Sequence, residues 1–339
     1  MKKELVILTD NFGLNFSGGA IATCRIFEPI QEEFSGITVI AKRIGKHPFR
    51  NLAFLPYKNL LQALKQIKKK RKDNVVFYGD FYMTYFFILA RVPFYFTYHD
   101  NWPEQGRLDQ KNFLNSLFYI PIYRWIIKKA LWVFSVSNFK LRFISKITNR
   151  TNIIRNGINS GISKSVYIPP STTSPLRIIM AGNVDDRKFG LAKALFQIIE
   201  KKGFSEKITI DIYGNITDEA LAKQLSIFPF VSLRGFYDHI NFEPYDLFLS
   251  TSKIENLSIS ICEALLNYTP VIAFDVGGLN EVISHQKNGV LVPYANLDKM
   301  FDWIILIQSK QIRFDFTGQD LTEFDWNIAA KKYQAILIA

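Results

Sequence analysis

Three glutamates and a glycine pair in the C-terminal half have the spacing that most suggests chemistry. Seven residues separate Glu255 from Glu263, and Gly277-Gly278 comes shortly before Glu281. A short apolar run, typical of a buried strand, precedes each group. The glycines would let the backbone approach a ligand closely. Because open α/β sheets bind ligands at the carboxyl ends of their strands, we predict that the three carboxylates gather at that edge.

A structural role is the simpler interpretation of each glutamate taken alone. Ser260 and Glu263 have the spacing of a capping box, in which the glutamate satisfies a backbone N–H at the start of a helix. Glu281 fits the first turn of a helix, where the helix dipole favours an acid by about 0.3–1 kcal/mol. The three together, with two strands and a glycine pair in register, favour a ligand site.

The ordered run around these glutamates carries a family resemblance. It consists of Glu255, Glu263-Ala264-Leu265, Thr269-Pro270-Val271, Phe274-Asp275-Val276-Gly277-Gly278, Glu281 and Asn288-Gly289. This run resembles the donor-binding signature of retaining GT-B glycosyltransferases of the family-four type, which build bacterial surface polysaccharides and lipopolysaccharide. The resemblance covers most of the chain. It implies an α/β fold of the GT-B type, in which two Rossmann-like parallel-sheet domains face a cleft and a C-terminal helix crosses back to the first domain.

The domain boundaries follow from length and composition. The 339 residues suit two domains, each large enough for its own core. A stretch rich in Pro, Ser and Thr at 169–175 is the clearest linker. We therefore predict an acceptor-binding domain at residues 1–168, completed by a helix at 326–339, and a nucleotide-sugar-binding domain at 174–325.

The resemblance assigns donor contacts to the second domain. It implies that Glu255 binds the sugar ring and that Glu263 accepts hydrogen bonds from the ribose. Backbone amides at Asn256, Leu257 and Ser258, at the start of a helix, suit the phosphate oxygens. The residues predicted to support these contacts from behind are Gly277, Gly278 and Glu281.

Arg187 and Lys188 lie in a loop that follows a strand. By spacing alone, an exposed helix start is the simpler interpretation of these two cations. The resemblance implies instead that this loop grips the diphosphate, with Lys188 as the first choice and Arg187 as the second. The loop departs from the common family pattern, because Asn183 stands where an Arg often follows the glycine and Phe189 separates Lys188 from Gly190.

Two later strand ends carry turns of the kind that frame a nucleotide base. One turn contains Gly214, and the other contains Arg234-Gly235. We predict that these three residues contact the donor. The turns do not indicate which base is bound.

Two positions in the first half join the predicted site through the resemblance. His99 ends a predicted strand and matches the family's His-Asp pair, so the resemblance implies that it contacts the donor sugar. Gly18-Gly19 opens a predicted helix after the first strand. Spacing alone allows either an anion contact or a tight turn at this pair. The resemblance implies a loop that shapes the acceptor site.

The positive charge of the chain belongs to its first half. The net charge is +12, but residues 1–170 hold 26 Lys and Arg against 10 Asp and Glu, whereas the remainder is mildly acidic. Six of the eight residues 65–72 are basic and follow a helical pattern. A solvated helix end and an anionic membrane footprint both fit this run, and we favour the membrane. The span 118–133 is a predicted helix, for which a core role is simpler than contact with lipid headgroups.

Compartment and chemistry are also constrained by what the sequence lacks. Cys24 and Cys262 fall in different halves, which argues against a disulfide framework and suits the cytosol. The longest apolar run, 81–90, is about half of the ~20 residues that a spanning helix needs. We expect a cytoplasmic protein, peripheral on the inner leaflet. No Asp-x-Asp motif follows a strand, so we predict no metal and no cofactor.

The sequence thus predicts an enzyme that moves a sugar, with retention, from a nucleotide-diphosphate sugar to a glycan, a polyprenyl-diphosphate-linked saccharide or a lipopolysaccharide acceptor. No nucleic acid is expected as a partner. Two alternatives stay open. One is a sugar-nucleotide epimerase of the same fold, and the other is a non-catalytic basic module that binds membranes or nucleic acids.

Overall fold

The structure, a computed structural model, describes residues 2–16, 18–158, 166–171, 173–236 and 239–338. The chain divides into two compact units, one formed by Met1–Gly157 with Thr322–Ala339 and the other by Ile158–Leu321. The 169–175 stretch falls within the second unit, and its Thr172 lies outside the described residues. In the described ranges, no helix is long and apolar enough to span a bilayer.

The first unit is a doubly wound α/β unit. Its strands are β1 Glu4–Leu8, β2 Asn11–Phe12, β3 Gly36–Ala41, β4 Arg43–Ile44, β5 Leu52–Pro56, β6 Val75–Gly79, β7 Tyr95–Tyr98, β8 Trp132–Ser135 and β9 Thr151–Ile153. Its helices are α1 Gly18–Phe27, α2 Leu60–Lys69, α3 Tyr85–Ala90, α4 Gln110–Lys129 and α5 Asn138–Ile144. Short 3-10 turns lie at Gln31–Glu33, Tyr82–Thr84 and Glu104–Arg107.

Among the described residues, seven strands form one parallel sheet in the order β5-β3-β1-β6-β7-β8-β9. Counted along the chain, this is the 3-2-1-4-5-6 order of a Rossmann sheet with one further strand. Strands β2 and β4 pair separately. The central strand β1 is apolar throughout from Leu5 to Leu8 and is fully buried there, as expected for a parallel strand covered by helices on both faces. The order of the strands reverses between β1 and β6, which places a ligand-binding edge beyond their carboxyl ends.

One helix of this unit differs from the sequence prediction. Helix α4 begins after Asp109, whose carboxylate caps it by accepting from Asn112 N at 2.7 Å, and it ends at Lys129. The predicted helix at 118–133 was therefore placed too late, and its last residues belong to β8. The first residues of α4, Gln110 to Asn112, are polar, so apolar periodicity did not mark its true start.

The second unit repeats the doubly wound plan. Its strands are β10 Leu176–Ala181, β11 Ile208–Tyr213, β12 Val231–Gly235, β13 Leu247–Ser250, β14 Val271–Phe274 and β15 Gly289–Val292. Its helices are α6 Asp186–Phe189, α7 Ala192–Lys201, α8 Glu219–Leu225, α9 Ile259–Leu266 and α10 Leu297–Gln308, with 3-10 turns at Ser205–Lys207 and Leu279–Glu281. In the part of the chain that the structure describes, its six parallel strands run in the order β12-β11-β10-β13-β14-β15. The reversal between β10 and β13 marks its ligand-binding edge.

The last helix, α11 Trp326–Leu337, returns to the first unit. Its buried face, which includes Ala330, Tyr333 and Leu337, joins the apolar core around β1. The Tyr333 hydroxyl lies 2.9 Å from Thr97 Oγ1, which also accepts a hydrogen bond from Tyr78 at 2.7 Å. The two parallel-sheet domains confirm the predicted fold class, and α11 completes the first of them.

Candidate functional site

Glu255 lies at the ligand-binding edge of the second unit, in the loop after β13. Only 6% of the residue is exposed. Its Oε1 is 2.7 Å from Lys188 Nζ and 3.5 Å from Arg187 Nη1. The structure therefore brings together the three residues that the sequence placed at the sugar and the diphosphate of a donor. Within this cluster, two cations face one carboxylate, so one positive charge is left for an anion.

The short helix α6 positions both cations. Asp185 caps it, and its carboxylate accepts from Lys188 N at 2.9 Å. The backbone of α6 is held against the loop after β13. Lys253 N donates to Arg187 O at 2.8 Å, and Thr251 Oγ1 donates to Lys188 O at 2.9 Å. The cations and Glu255 are thus fixed relative to each other by backbone contacts and not by the ion pairs alone.

Two glycines leave room for this arrangement. Gly182 ends β10 with φ at +145°, and a Cβ there would lie 2.5 Å from Lys188 Cδ. Gly277 has φ at +63°, and a Cβ there would lie 1.5 Å from Glu255 O. Any side chain at Gly277 would displace the backbone that carries Glu255, and any at Gly182 would displace the lysine.

The electrostatics keep Glu255 ionised. Burial acts to raise the pKa of its carboxyl, but the charges of Lys188 and Arg187, together with hydrogen bonds from Lys188 and Ser252, outweigh burial and lower that pKa below its ordinary value. An ionised carboxylate only accepts hydrogen bonds. Glu255 is therefore suited to bind hydroxyl groups and not to donate a proton.

The segment after Glu255 is buried and leads into α9. Asn256, Leu257 and Ser258 are each less than 9% exposed. The helix is capped at Ser258, so the capping-box interpretation that placed the cap at Ser260 is wrong. Ser260 lies inside the helix, and Glu263 is the fifth residue of α9, half-buried, with its own contacts in the protein.

The glycine pair and Glu281 support the loop from the neighbouring strand. Gly278 N donates to Asn256 O at 3.1 Å, which ties the β14 loop to the segment after Glu255. Glu281 ends the 3-10 turn Leu279–Glu281, and the expected α-helix is absent there. Val282, with φ at −125° and ψ at −28°, leaves helical geometry and ends the turn.

The predicted base-framing turns lie along the same sheet edge. Gly182 N donates to Tyr213 O at 2.9 Å, and Gly214 N donates to Gly235 O at 2.8 Å, so the ends of β10, β11 and β12 are joined in a row. A Cβ at Gly214 would lie 2.0 Å from Gly182 O. Arg234 is half-exposed and paired with Asp211, Nε to Oδ1 2.8 Å. The pair engages the Nε of Arg234, and a donor contact by this residue stays a prediction.

His99 and the Gly18-Gly19 pair belong to the first unit. His99 follows β7, and burial lowers its pKa to about 4, so the imidazole is neutral at pH 7. Its Nε2 is buried and has no hydrogen-bond partner among the described residues. The two glycines are the first residues of α1, and a Cβ at Gly19 would lie 2.6 Å from the ring of Phe81. Contacts of these residues with a donor or an acceptor stay predictions.

Sequence reasoning missed the residues that position the site. Gly182, Asp185, Thr251 and Lys253 hold the cations in place, yet none of them was singled out. The available signals were an Ala-Gly strand end and an Asp three residues before Lys188, which is an N-cap spacing. In the described segments, no group of three or more His, Cys, Asp or Glu side chains could hold a metal ion.

Comparison with known proteins identifies the family. Residues 21–161 match the model of glycosyltransferase family 4, and residues 175–309 match the model of group 1 glycosyl transferases. The chain has the fold of the Anabaena protein HepE in complex with UDP and glucose, with 17% identity, a TM-score of 0.75 and complete coverage of both chains. It is also similar in fold to sucrose-phosphate synthase from Thermosynechococcus elongatus, with 14% identity, a TM-score of 0.77 and coverage of 99% of this chain and 98% of the other.

A shorter sequence match concerns a polymer-modifying enzyme. Over 67 residues the chain is 34% identical to the poly(ribitol-phosphate) alpha-N-acetylglucosaminyltransferase of Staphylococcus aureus. This segment is 20% of the chain and 14% of that relative. Because both halves of the chain match glycosyltransferase models and both fold as parallel Rossmann-like sheets, the chain belongs to the family-four type of GT-B glycosyltransferases.

Proposed function

We propose that this glycosyltransferase moves a sugar from a nucleotide-diphosphate sugar, with UDP as the nucleotide, to a saccharide acceptor in bacterial surface polysaccharide synthesis. The buried cluster of Glu255, Lys188 and Arg187 is the observation that carries the proposal. UDP is bound by HepE, which shares the fold, and the Staphylococcus aureus relative is named for the transfer of N-acetylglucosamine to poly(ribitol-phosphate).

The cluster suits the charge that develops during transfer. When the bond between the anomeric carbon and the diphosphate breaks, negative charge grows on the departing phosphate oxygen. Lys188 and Arg187 would stabilise this charge more strongly in the transition state than in the bound donor, which accelerates the reaction. The amides before α9 add further donors for the phosphates.

Glu255 would orient the donor sugar. Because its carboxylate is ionised and buried, hydrogen bonds from sugar hydroxyls to it are strong and directional. The diphosphate of a bound donor would compete with Glu255 for the two cations, which would free carboxylate lone pairs for the sugar. Binding of the phosphate and binding of the sugar are coupled in this arrangement.

Retention follows from attack on the face that the diphosphate leaves. In this step the acceptor oxygen bonds to the anomeric carbon as the phosphate oxygen departs, and the acceptor's proton passes to that phosphate oxygen. The protein supplies position and positive charge and needs no general base of its own. We propose that no metal takes part, because the two cations supply the charge that a metal would supply.

Helix α4 supports a peripheral location at the inner leaflet. Four apolar side chains on it are more than half exposed, at 56% for Phe113, 59% for Leu114, 63% for Leu117 and 56% for Phe118. The helix carries four cations and no carboxylate. Exposed Phe and Leu beside Lys and Arg are the features of a helix that lies in the headgroup region of an anionic membrane.

A panel of UDP-, GDP- and ADP-sugars tests the proposed activity. Each is incubated with and without a lipid-linked saccharide, and release of the nucleoside diphosphate, the mass of the product and its anomeric configuration by NMR are recorded, with and without EDTA. We expect release that requires the acceptor, a retained anomer and no effect of EDTA. Isomerised donor without release would instead indicate an epimerase, and no turnover with any donor would indicate a binding module.

A further inference from the structure

A cavity lies within the first unit. It has a volume of about 360 Å³ and opens at the carboxyl ends of β1 and β7, beside the point where the strand order reverses. Pockets of roughly 300–1,000 Å³ are typical of small-ligand sites. Asp10 and Asp100 lie on its wall at the ends of these strands. The residues assigned to the donor do not line it.

Aromatic side chains form one wall of this cavity. Trp102 stacks on Tyr119 with ring centroids 5.0 Å apart and planes inclined by 22°, and Tyr82 meets Tyr119 edge-on at 5.2 Å. Trp102 is buried and fixed, because its carbonyl accepts from Tyr98 Oη at 2.7 Å and from Lys140 Nζ at 2.8 Å. Tyr82 and Tyr119 are only partly buried, so their rings present apolar surface to the cavity.

Amides and carboxylates form the rest of the wall. Asn11 Oδ1 accepts from Arg43 Nε at 2.8 Å, which leaves the Asn11 amide nitrogen as a donor. Gln105 Nε2 donates to Asn112 at 3.1 Å, which leaves the Gln105 carbonyl oxygen as an acceptor. Asp10 adds an acidic group, held 2.8 Å from Lys42. Such a wall offers both donors and acceptors to a ligand.

We propose that this cavity binds an uncharged pyranose ring of the acceptor, a substrate class that deepens the proposed function and rests on it. Each sugar hydroxyl both donates and accepts, which matches amides mixed with carboxylates. The C–H face of a pyranose is apolar and fits an aromatic wall. Among the described residues that line the cavity there is no Lys or Arg, and the two lining carboxylates are Asp10, which Lys42 pairs from beside the cavity, and Asp100. A phosphorylated sugar or a uronic acid would meet the like charge of Asp100 there.

The basic character of this half of the chain therefore serves other parts of the acceptor. The surface cations would meet its anionic carrier or membrane, whereas the sugar that receives the new bond is neutral.

Binding of simple glycosides tests this inference without any need for turnover. Saturation-transfer NMR on the full chain, with UDP present at saturating concentration to occupy the donor site, measures the affinity of methyl α-D-glucopyranoside and methyl N-acetyl-α-D-glucosaminide. The charged counterparts are methyl α-D-glucopyranosiduronate and methyl α-D-glucopyranoside 6-phosphate. We expect at least one neutral probe to bind about tenfold more tightly than the charged ones.

Three variants, each checked for an unchanged Tm, locate the binding. Tyr82→Ala should weaken neutral probes about tenfold, and Asp10→Asn should narrow the gap between neutral and charged probes. The matched control is Glu4→Gln, which removes a carboxylate ion-paired with Lys70 at the opposite end of β1. Equal or tighter binding of the charged probes, or unchanged binding in Tyr82→Ala, would overturn the inference. Because binding is read without transfer, a failed transfer assay with intact probe binding would count against the proposed function only.

Discussion

Gly277 lies directly against the backbone that carries Glu255. Replacing it with Ala would combine a left-handed backbone angle with a collision at Glu255 O. Gly203→Ala is a matched control, since Gly203 has φ at +66° and open space where a Cβ would be. We expect the control to lower the free energy of unfolding by about 1–2 kcal/mol and Gly277→Ala by about 3 kcal/mol or more. If urea denaturation gives equal losses of unfolding free energy for the two variants, the loop that carries Glu255 accommodates a side chain at Gly277.

The buried carboxyl of Asp80 should make the stability of the protein depend on pH. It is fully buried at the end of β6. Burial raises the pKa of its carboxyl from 3.8 to about 7, against smaller opposing effects of hydrogen bonds from Thr23 and Thr9. Between these two values the folded state keeps a proton that the unfolded chain has lost, so the free energy of unfolding should fall as pH rises from about 4 to 7.

Asp80→Asn isolates this effect, because the amide has nearly the same shape and does not titrate. The Tm of both proteins is measured from pH 4 to pH 8. We expect the Tm of the variant to exceed that of wild type by the largest margin at pH 8. If the difference between the two Tm values stays constant across this range, Asp80 does not titrate as described.

For the single residues of the site, the sequence predicted which side chains lie together, but it did not predict the backbone contacts that hold them in place. Glu255 lies more than sixty positions from Arg187 and Lys188, and their meeting was predicted through strand ends and the family resemblance. The contacts from Thr251 and Lys253 to the α6 backbone depend on the register of β10 and β13, which local sequence does not encode.

Helices α4 and α2 offer two different surfaces for a membrane. The basic run at 65–72 covers the C-terminal end of α2 and the residues directly after it, but Lys70 within it is already paired with Glu4, Nζ to Oε1 2.6 Å. Helix α4 presents the apolar side chains that insert into an interface. We therefore expect α4 to contribute the insertion and the basic run to contribute attraction that salt screens.

Liposome co-sedimentation separates these contributions. A Phe113→Ser, Leu117→Ser, Phe118→Ser variant should lose binding to vesicles that contain phosphatidylglycerol at both low and high salt. Gln at 68–72 should weaken binding only at low salt, by about 1 kcal/mol per charge near the surface. Ile227→Ser, at a residue of the second unit that is 69% exposed, is the control. If the α4 variant binds as wild type does, this helix does not dock to the membrane.

The elements themselves were predictable where one residue type dominates. Buried strands such as β1 and β14 were recognised from continuous apolar runs, because parallel strands are covered on both faces. The start of α4 and the cap of α9 were misplaced. The first turn of α4 is polar, so apolar periodicity did not mark its start, and two serines at the start of α9, Ser258 and Ser260, offered competing caps.

Helix α11 brings the C-terminal end of the chain back to the core of the first unit. Tyr333 joins the Thr97 and Tyr78 hydroxyls in the core of the first unit, 236 positions from Thr97 in sequence. Tyr333→Ala would leave a cavity and remove a partner of Thr97, with an expected loss of about 3–5 kcal/mol. Hydrogen exchange should show faster exchange in peptides of the first unit, including β1 and β6, and no change in β10 and β13. Tyr294→Ala, at an exposed residue, serves as the control.

The return of α11 was predicted by family resemblance, not by its own residues. An amphipathic C-terminal helix has several surfaces on which it can pack, and only the three-dimensional core selects one. The position of the unit boundary shows the same limitation. Tyr167, just before the Pro-rich stretch, packs on Phe314 and Phe316 of the second unit, a contact that composition does not reveal.

The central claim is that Glu255, held by Lys188 and Arg187, is the donor-sugar contact of a glycosyltransferase. Glu255→Gln keeps the shape of the side chain but removes the charge that pairs with both cations. The most direct test is acceptor-dependent release of the nucleoside diphosphate by this variant, compared with wild type and with Glu200→Gln on the exposed face of α7. We predict that kcat falls by about 10²–10³-fold in Glu255→Gln, with Tm close to that of wild type, and that it is unchanged in Glu200→Gln. Near-normal kcat in Glu255→Gln would contradict the assignment of this site.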